Sequence, residues 1–144
     1  MIKVLTAFIP ATVVAFILAS ILSTQMILAN VQAMGLDVSM SVRLSTTFQD
    51  LLGMASSYLV LITVAFVLAL PVAGWLARRA PDRSALLFAL AGFLAIAVLH
   101  LALQAALNIH PVPVTRTIPG FLGQCLAGAV GGWCFYRLRQ RTQA

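Results

Sequence analysis

The chain has 144 residues, of which 62% are hydrophobic and only 8% are charged. A soluble domain is typically about half apolar and about one quarter charged, so this composition excludes an ordinary soluble fold and indicates a membrane protein. The net charge of +6 would suggest nucleic acid if it lay on a soluble surface, but here the basic residues flank apolar runs. We therefore expect membrane lipids and other membrane proteins as partners, and no nucleic acid.

Four apolar runs are candidate transmembrane helices, and they cover residues 5–30, 57–77, 85–107 and 120–136. Three of them reach the length of roughly 20 residues that crosses a bilayer, and the shorter fourth run can span a thin one. The first run follows Lys3 and resembles a secretory signal, but we expect it to remain as a membrane anchor. The sequence thus predicts an all-α integral membrane protein whose single domain, residues 1–144, has four transmembrane helices.

The basic residues are divided unequally between the two sides of such a protein. Most lie at the N-terminus, in the second connection and at the C-terminus: Lys3, Arg78, Arg79, Arg83, Arg137, Arg139 and Arg141. Only Arg43 and Arg116 lie in the first and third connections. Because Lys and Arg in short loops remain cytoplasmic, both termini are expected inside. Compact basic loops without eukaryotic targeting signals favour the bacterial inner (plasma) membrane.

The first connection contains a segment, residues 39–54, that is too polar to span a membrane. Its apolar residues recur at helical spacing: Met40, Leu44, Phe48, Leu51 and Leu52. This pattern predicts an amphipathic helix that lies on the outer membrane surface or folds back over the bundle. It could serve as an interfacial connector or as a lid over a site.

The third connection, residues 108–119, contains Pro111, Pro113 and Pro119, so we expect extended backbone there rather than a helix. It would carry His110 and Arg116 on a stiff segment.

Small residues occupy one side of the fourth predicted helix. This glycine face consists of Gly120, Gly123, Ala127, Gly128, Gly131 and Gly132. Small residues at four-residue spacing allow close approach of two helices in lipid, so we expect this face to pack either within the chain or against another protein. Gln124 lies on the same side and is expected to hydrogen-bond to a neighbouring helix.

Polar side chains converge at the outer ends of the four predicted helices. These candidate ligand-binding residues are Gln25, Tyr58, His100, Gln104, Asn108, His110, Arg116 and Gln124. Spacing of four residues places His100, Gln104 and Asn108 on one stripe, which should face the bundle interior or water. The stripe could line an outward-facing recess for a headgroup, a quinone or another small polar ligand. Alternatively, these groups satisfy one another.

The sequence contains no constellation of catalytic residues, no metal-ligand cluster and no phosphate-binding loop. We therefore expect no enzyme activity, no metal and no cofactor. Haem b held by His100, alone or shared between two copies, is the alternative, since His100 and His110 are too far apart to grip one iron. The three acids, Asp37, Asp50 and Asp82, all lie in connections, which argues against proton-coupled export through an intramembrane carboxylate.

Two functions from different classes remain open. The first is a non-enzymatic accessory or assembly subunit that uses the glycine face to pack against other membrane proteins or against copies of itself. The second is a binder or carrier of a lipid-like, quinone-like or other small polar ligand in the outward-facing recess.

Overall fold

The computed structural model describes residues 2–108 and 112–143, and these form five α-helices and two short 3-10 turns. The helices are α1 (Ile2–Ala33), α2 (Met40–Ala55), α3 (Tyr58–Ala77), α4 (Ser84–Leu107) and α5 (Ile118–Gln143). Four of them, α1, α3, α4 and α5, are long and apolar enough to cross a membrane. The all-helical fold expected from the sequence is therefore confirmed over the described residues, and its four apolar helices indicate a multi-pass membrane protein.

The connection before α5 differs from the extended segment that its prolines predict. Pro113–Arg116 forms a 3-10 turn, in which the Thr115 hydroxyl donates a hydrogen bond to the Val112 carbonyl at 2.7 Å. Pro119 lies in the first turn of α5, where a helix needs no backbone N–H donor. Proline restricts the backbone without excluding these two positions. Pro111 and its neighbour His110 lie outside the described residues.

The glycine face is packed mainly inside the bundle, on the side of α5 that meets α1 and α4. Gly128 lies against the backbone of Gly92 in α4, and Gly132 lies against the backbone of Phe88 in the same helix. The approach is so close that a Cβ atom at Gly92, Gly128 or Gly132 would collide. Gly131 lies against Ala11 and Ala15 of α1. Backbone contact of this kind brings helices together in lipid, where lipid tails compete for ordinary apolar contacts.

The two ends of the bundle differ in chemistry. At the polar end lie Tyr58, His100 and Gln124, which are buried. The other end, which we call the basic end, carries Arg78 and Arg139. Because α3 runs from Tyr58 to Ala77 and is followed by α4 in the reverse direction, these two helices form an antiparallel hairpin between the ends.

Helix α2 packs along α1 with its polar side chains facing inward. Asp50 accepts a hydrogen bond from the Thr24 hydroxyl at 2.7 Å, and Gln25 contacts both Arg43 (2.8 Å) and Thr47 (3.1 Å). The side of α2 turned away from the bundle is apolar and exposed, and it carries Met40, Leu44, Phe48 and Leu52. The helix thus turns its apolar side outward, as a lipid-facing helix does.

Candidate functional site

A hydrogen-bond cluster joins four helices at the polar end. The Tyr58 hydroxyl of α3 donates to Gln124 Oε1 of α5 at 2.9 Å and lies 3.1 Å from His100 Nε2 of α4. Gln124 Nε2 donates to the Ala19 carbonyl of α1 at 2.9 Å. Since the single Tyr58 proton is given to Gln124, the contact with His100 requires Nε2 to carry a proton and donate to the tyrosine oxygen.

This cluster has the properties of a structural tie. Tyr58, His100 and Gln124 are each at most 4% exposed, and an unsatisfied polar group in such surroundings would cost several kcal/mol. The hydrogen bonds within the cluster avoid that cost for the Tyr58 hydroxyl, the Gln124 amide and His100 Nε2. For these three residues, the geometry fits the alternative in which polar groups at this end satisfy one another.

The other residues expected to line a recess do not join this cluster. Gln104 and Asn108 are exposed, and so is Arg116. Helix α4 continues for two turns past His100, whereas α3 begins at Tyr58, the partner of His100, and so does not reach Gln104. Gln25 is engaged by α2, and His110 lies outside the described residues.

A cavity, which we call the apolar cleft, lies at the basic end. It has a volume of about 460 Å³ and is bounded by α1, α3 and α5. Its lining residues are Val4, Leu5, Phe8, Phe66, Val67, Leu70, Pro71, Gly74, Trp75, Arg78, Phe135 and Arg139. Several of these, including Leu5, Val67 and Trp75, are more than half exposed. The cleft therefore opens on the lateral surface of the bundle, between α1 and α3.

A second cavity, the polar vestibule, adjoins the apolar cleft and shares Gly74, Arg78 and Arg139 with it. It has a volume of about 210 Å³. Its remaining lining residues are Ala77, Ser84, Phe88, Tyr136 and Gln140. Two arginines thus stand at the junction between an apolar compartment and a smaller, more polar one.

Arg139 is the most unusual side chain at this junction. Its Nε is buried, and no described residue accepts a hydrogen bond from it. Its guanidinium carbon lies 5.9 Å from the centre of the Phe88 ring, an arrangement that attracts the cation but provides no hydrogen-bond acceptor. A buried donor without an acceptor is costly, and a ligand oxygen would remove that cost.

Gly74 has no side chain, and this leaves room for the Arg139 guanidinium. A Cβ at Gly74 would lie 3.5 Å from Arg139 Nη1, an ordinary contact, so alanine fits there and a larger residue would meet the arginine. Within the described residues, none of the three carboxylates of the chain lines either cavity. Among the described residues, no acidic side chain in either lining therefore neutralises the positive charge at the junction.

Sequence patterns contain a partial signal for the apolar cleft. Gly74 and Arg78 are four residues apart on α3, as are Phe135 and Arg139 on α5, so each pair shares a helix face. Nothing in either helix alone indicates that these faces converge beside the N-terminal half of α1. The cleft depends on the arrangement of three helices and was not predicted.

Comparisons with protein-family models, with curated proteins and with solved structures found no match for this chain. Within residues 2–108 and 112–143, no group of three or more His, Cys, Asp and Glu side chains could hold a metal ion. The function is therefore inferred from the two cavities and their surroundings.

Proposed function

We propose that this chain is a non-enzymatic protein of the bacterial inner membrane that binds a lipid-like amphiphile in the apolar cleft. The observation that carries the proposal is the cleft itself, with apolar walls, a lateral opening and two arginines at one end. Its volume of about 460 Å³ lies within the range of small-molecule sites, about 300–1,000 Å³. The site thus lies at the end of the bundle opposite to the recess expected from the sequence.

The distribution of basic residues supports an orientation for this site. With both termini cytoplasmic, as the excess of arginines at the basic end favours, the apolar cleft opens into the inner leaflet. An amphiphile would then enter sideways from the leaflet, with its tail between α1 and α3. Its polar head would lie near Arg78 and Arg139, at the level of the cytoplasmic interface.

The accessory or assembly subunit is the competing proposal. Most of the glycine face, which was expected to serve it, packs against α1 and α4 of the same chain. A partner would have to bind elsewhere, and the exposed apolar side of α2 can equally well face lipid. Among the described residues, no contact therefore favours the subunit over the amphiphile binder.

Amphiphile binding can be tested directly through the fluorescence of Trp75, which lies on α3 and lines the apolar cleft. The chain has two tryptophans, of which Trp75 lines the cleft, so a Trp133→Phe background leaves one reporter there. We expect a brominated phospholipid, added at low mole fraction to nanodiscs of ordinary lipid, to quench Trp75 fluorescence with a saturable dependence. Bromine quenches on contact, so saturation reports a site rather than bulk lipid.

Val67 and Val64 provide a matched pair for this experiment. Both are 54% exposed on α3, but only Val67 lines the cleft. Val67→Phe should reduce the saturable quenching because the ring occupies the cleft, whereas Val64→Phe should leave it unchanged. Quenching that rises in proportion to bulk brominated lipid, equally in both variants, would overturn the proposal. A stoichiometric protein partner recovered in gentle detergent, with no saturable lipid site, would favour the accessory subunit.

A further inference from the structure

The apolar cleft and the polar vestibule have unequal chemistry and a shared wall, which together indicate the shape of a ligand. We infer that the amphiphile bound here is a long-chain phosphate monoester, with its chain in the cleft and its phosphate in the vestibule between Arg78 and Arg139. This inference rests on the proposed function and adds to it the chemical class of the headgroup. It concerns the head only, since the cleft would accept many apolar chains.

The charge at the junction favours a dianion over a monoanion. Arg78 and Arg139 both line the two cavities, and within the described residues no carboxylate lines either one. A phosphate monoester carries a charge of about −1.5 to −2 near neutral pH, which two arginines can neutralise. A fatty-acid carboxylate or a phosphodiester supplies a single negative charge and would leave one arginine without a counter-charge.

The hydrogen-bond donors of the vestibule also suit a phosphate. Arginine presents its N–H groups in a planar fork that matches phosphate oxygens, and the buried Nε of Arg139 has no acceptor among the described residues. The Tyr136 hydroxyl accepts a hydrogen bond from Gln140 Nε2 at 2.7 Å, so its own proton can be donated to a ligand. The side chains of Arg78, Arg139 and Tyr136 can thus donate hydrogen bonds to a phosphate group, which has three terminal oxygens.

The position of Arg139 explains why the head and the chain would be bound together. Its side chain lies against Gly74 of α3 and near the Phe88 ring of α4, at the boundary between the two cavities. A phosphate that contacts Arg139 from the vestibule therefore places the first carbons of its chain at the entrance of the apolar cleft. Free phosphate would use the arginines without the cleft and would bind more weakly.

Three brominated probes separate the headgroup from the chain. In the Trp133→Phe background, saturable quenching of Trp75 is measured with phosphatidic acid, phosphatidylcholine and a fatty acid, all brominated on the acyl chain. We expect phosphatidic acid to bind at least about 10-fold more tightly than the other two, because charge-assisted hydrogen bonds to phosphate are each worth about this factor. Inorganic phosphate should displace it poorly, since it lacks the chain.

Arginine variants and a matched control test where the phosphate headgroup binds. Arg139→Gln and Arg78→Gln should each weaken phosphatidic acid binding about 10-fold while binding of phosphatidylcholine changes little. Arg137→Gln is the control, because Arg137 is on α5 but lines neither cavity. Thermal unfolding midpoints check that the variants remain folded, and the exposed Arg78 provides a second variant if Arg139→Gln is unstable.

The possible results distinguish this inference from the proposed function. Equal saturable binding of all three probes, or phosphatidic acid binding that survives both arginine substitutions, would overturn the phosphate inference and leave the amphiphile site in place. Displacement by inorganic phosphate as effective as that by a short-chain phosphatidic acid would also overturn it, in favour of free phosphate. If no probe gave saturable quenching, both the phosphate inference and the proposed amphiphile binding would be overturned.

Discussion

Gln124 connects three helices through the two ends of one amide group. Its oxygen accepts from Tyr58 of α3 and its nitrogen donates to the Ala19 carbonyl of α1, while the residue itself belongs to α5. The side chain is 1% exposed, so water or lipid headgroups cannot replace these partners. A single residue therefore fixes the relative position of three helices at the polar end.

Replacing Gln124 with leucine removes both hydrogen bonds and leaves the Tyr58 hydroxyl without its acceptor. We expect the free energy of unfolding to fall by about 1–2 kcal/mol, within the range measured for buried polar contacts in water and in membranes. Unfolding of the purified protein in mixed micelles with an increasing fraction of denaturing detergent would measure the change.

Gln104 provides the matched control for this substitution. Gln104→Leu makes the same chemical change on an exposed part of α4, where we expect a change of less than about 0.5 kcal/mol. If Gln104→Leu destabilised the protein as much as Gln124→Leu, the cluster at the polar end would not be the tie that its geometry indicates.

At the scale of the helix, close contact between α4 and α5 depends on glycine at both sides. Gly128 lies against the Gly92 carbonyl and the Ile96 side chain, whereas nothing lies within 4 Å of a Cβ at Gly123. Gly128→Leu should therefore force the two helices apart, at a cost of about 1–3 kcal/mol or more. Size-exclusion profiles and thermal unfolding midpoints of the purified protein would report the loss.

Gly123→Leu is the corresponding control, because it adds the same side chain to the same helix at an open position. We expect it to unfold at nearly the midpoint of the unsubstituted protein. Similar losses in both variants would mean that helix propensity or an external partner, rather than the contact with Gly92, decides the cost of adding a side chain to α5.

Hydropathy predicted the number of membrane-spanning helices well because each helix needs its own apolar length to cross lipid. Gln124 was expected to hydrogen-bond to a neighbouring helix, and it does so. The stripe of His100, Gln104 and Asn108 was expected to face the bundle interior or water, and only His100 is buried. That this stripe lines a recess stays a prediction. Helical spacing gives the face of a residue on its own helix, but the start of α3 decides how far along that face the burial extends.

The two cavities could not be predicted from the sequence for a similar reason. Gly74 and Arg139 are 65 residues apart in sequence. They come together because α3 and α5 both pack against α4. Hydropathy treats each helix separately and so contains no information on which faces meet. At the polar end, by contrast, the polar residues were conspicuous because they interrupt apolar runs.

At the scale of the whole molecule, the orientation in the membrane decides which leaflet would supply the proposed amphiphile. The basic end carries both arginines of the cavity junction, together with Trp75, whose ring lies 4.2 Å from the Arg79 guanidinium carbon. Tryptophan beside arginine is typical of the membrane interface. If this end is cytoplasmic, the amphiphile enters from the inner leaflet, and a reversed orientation would supply it from the outer leaflet instead.

Two exposed aspartates provide a matched test of this orientation. Asp37 lies between α1 and α2, near the polar end, and Asp82 lies in the turn between α3 and α4 at the basic end. In a background with Cys125 and Cys134 replaced by alanine, a membrane-impermeant maleimide applied to intact bacteria should label Asp37→Cys. Asp82→Cys should be labelled only after the membrane is permeabilised, because a short loop rich in arginine stays inside. The reverse labelling pattern would place the apolar cleft in the outer leaflet, and labelling of both cysteines in intact cells would mean that the distribution of arginines does not fix one orientation.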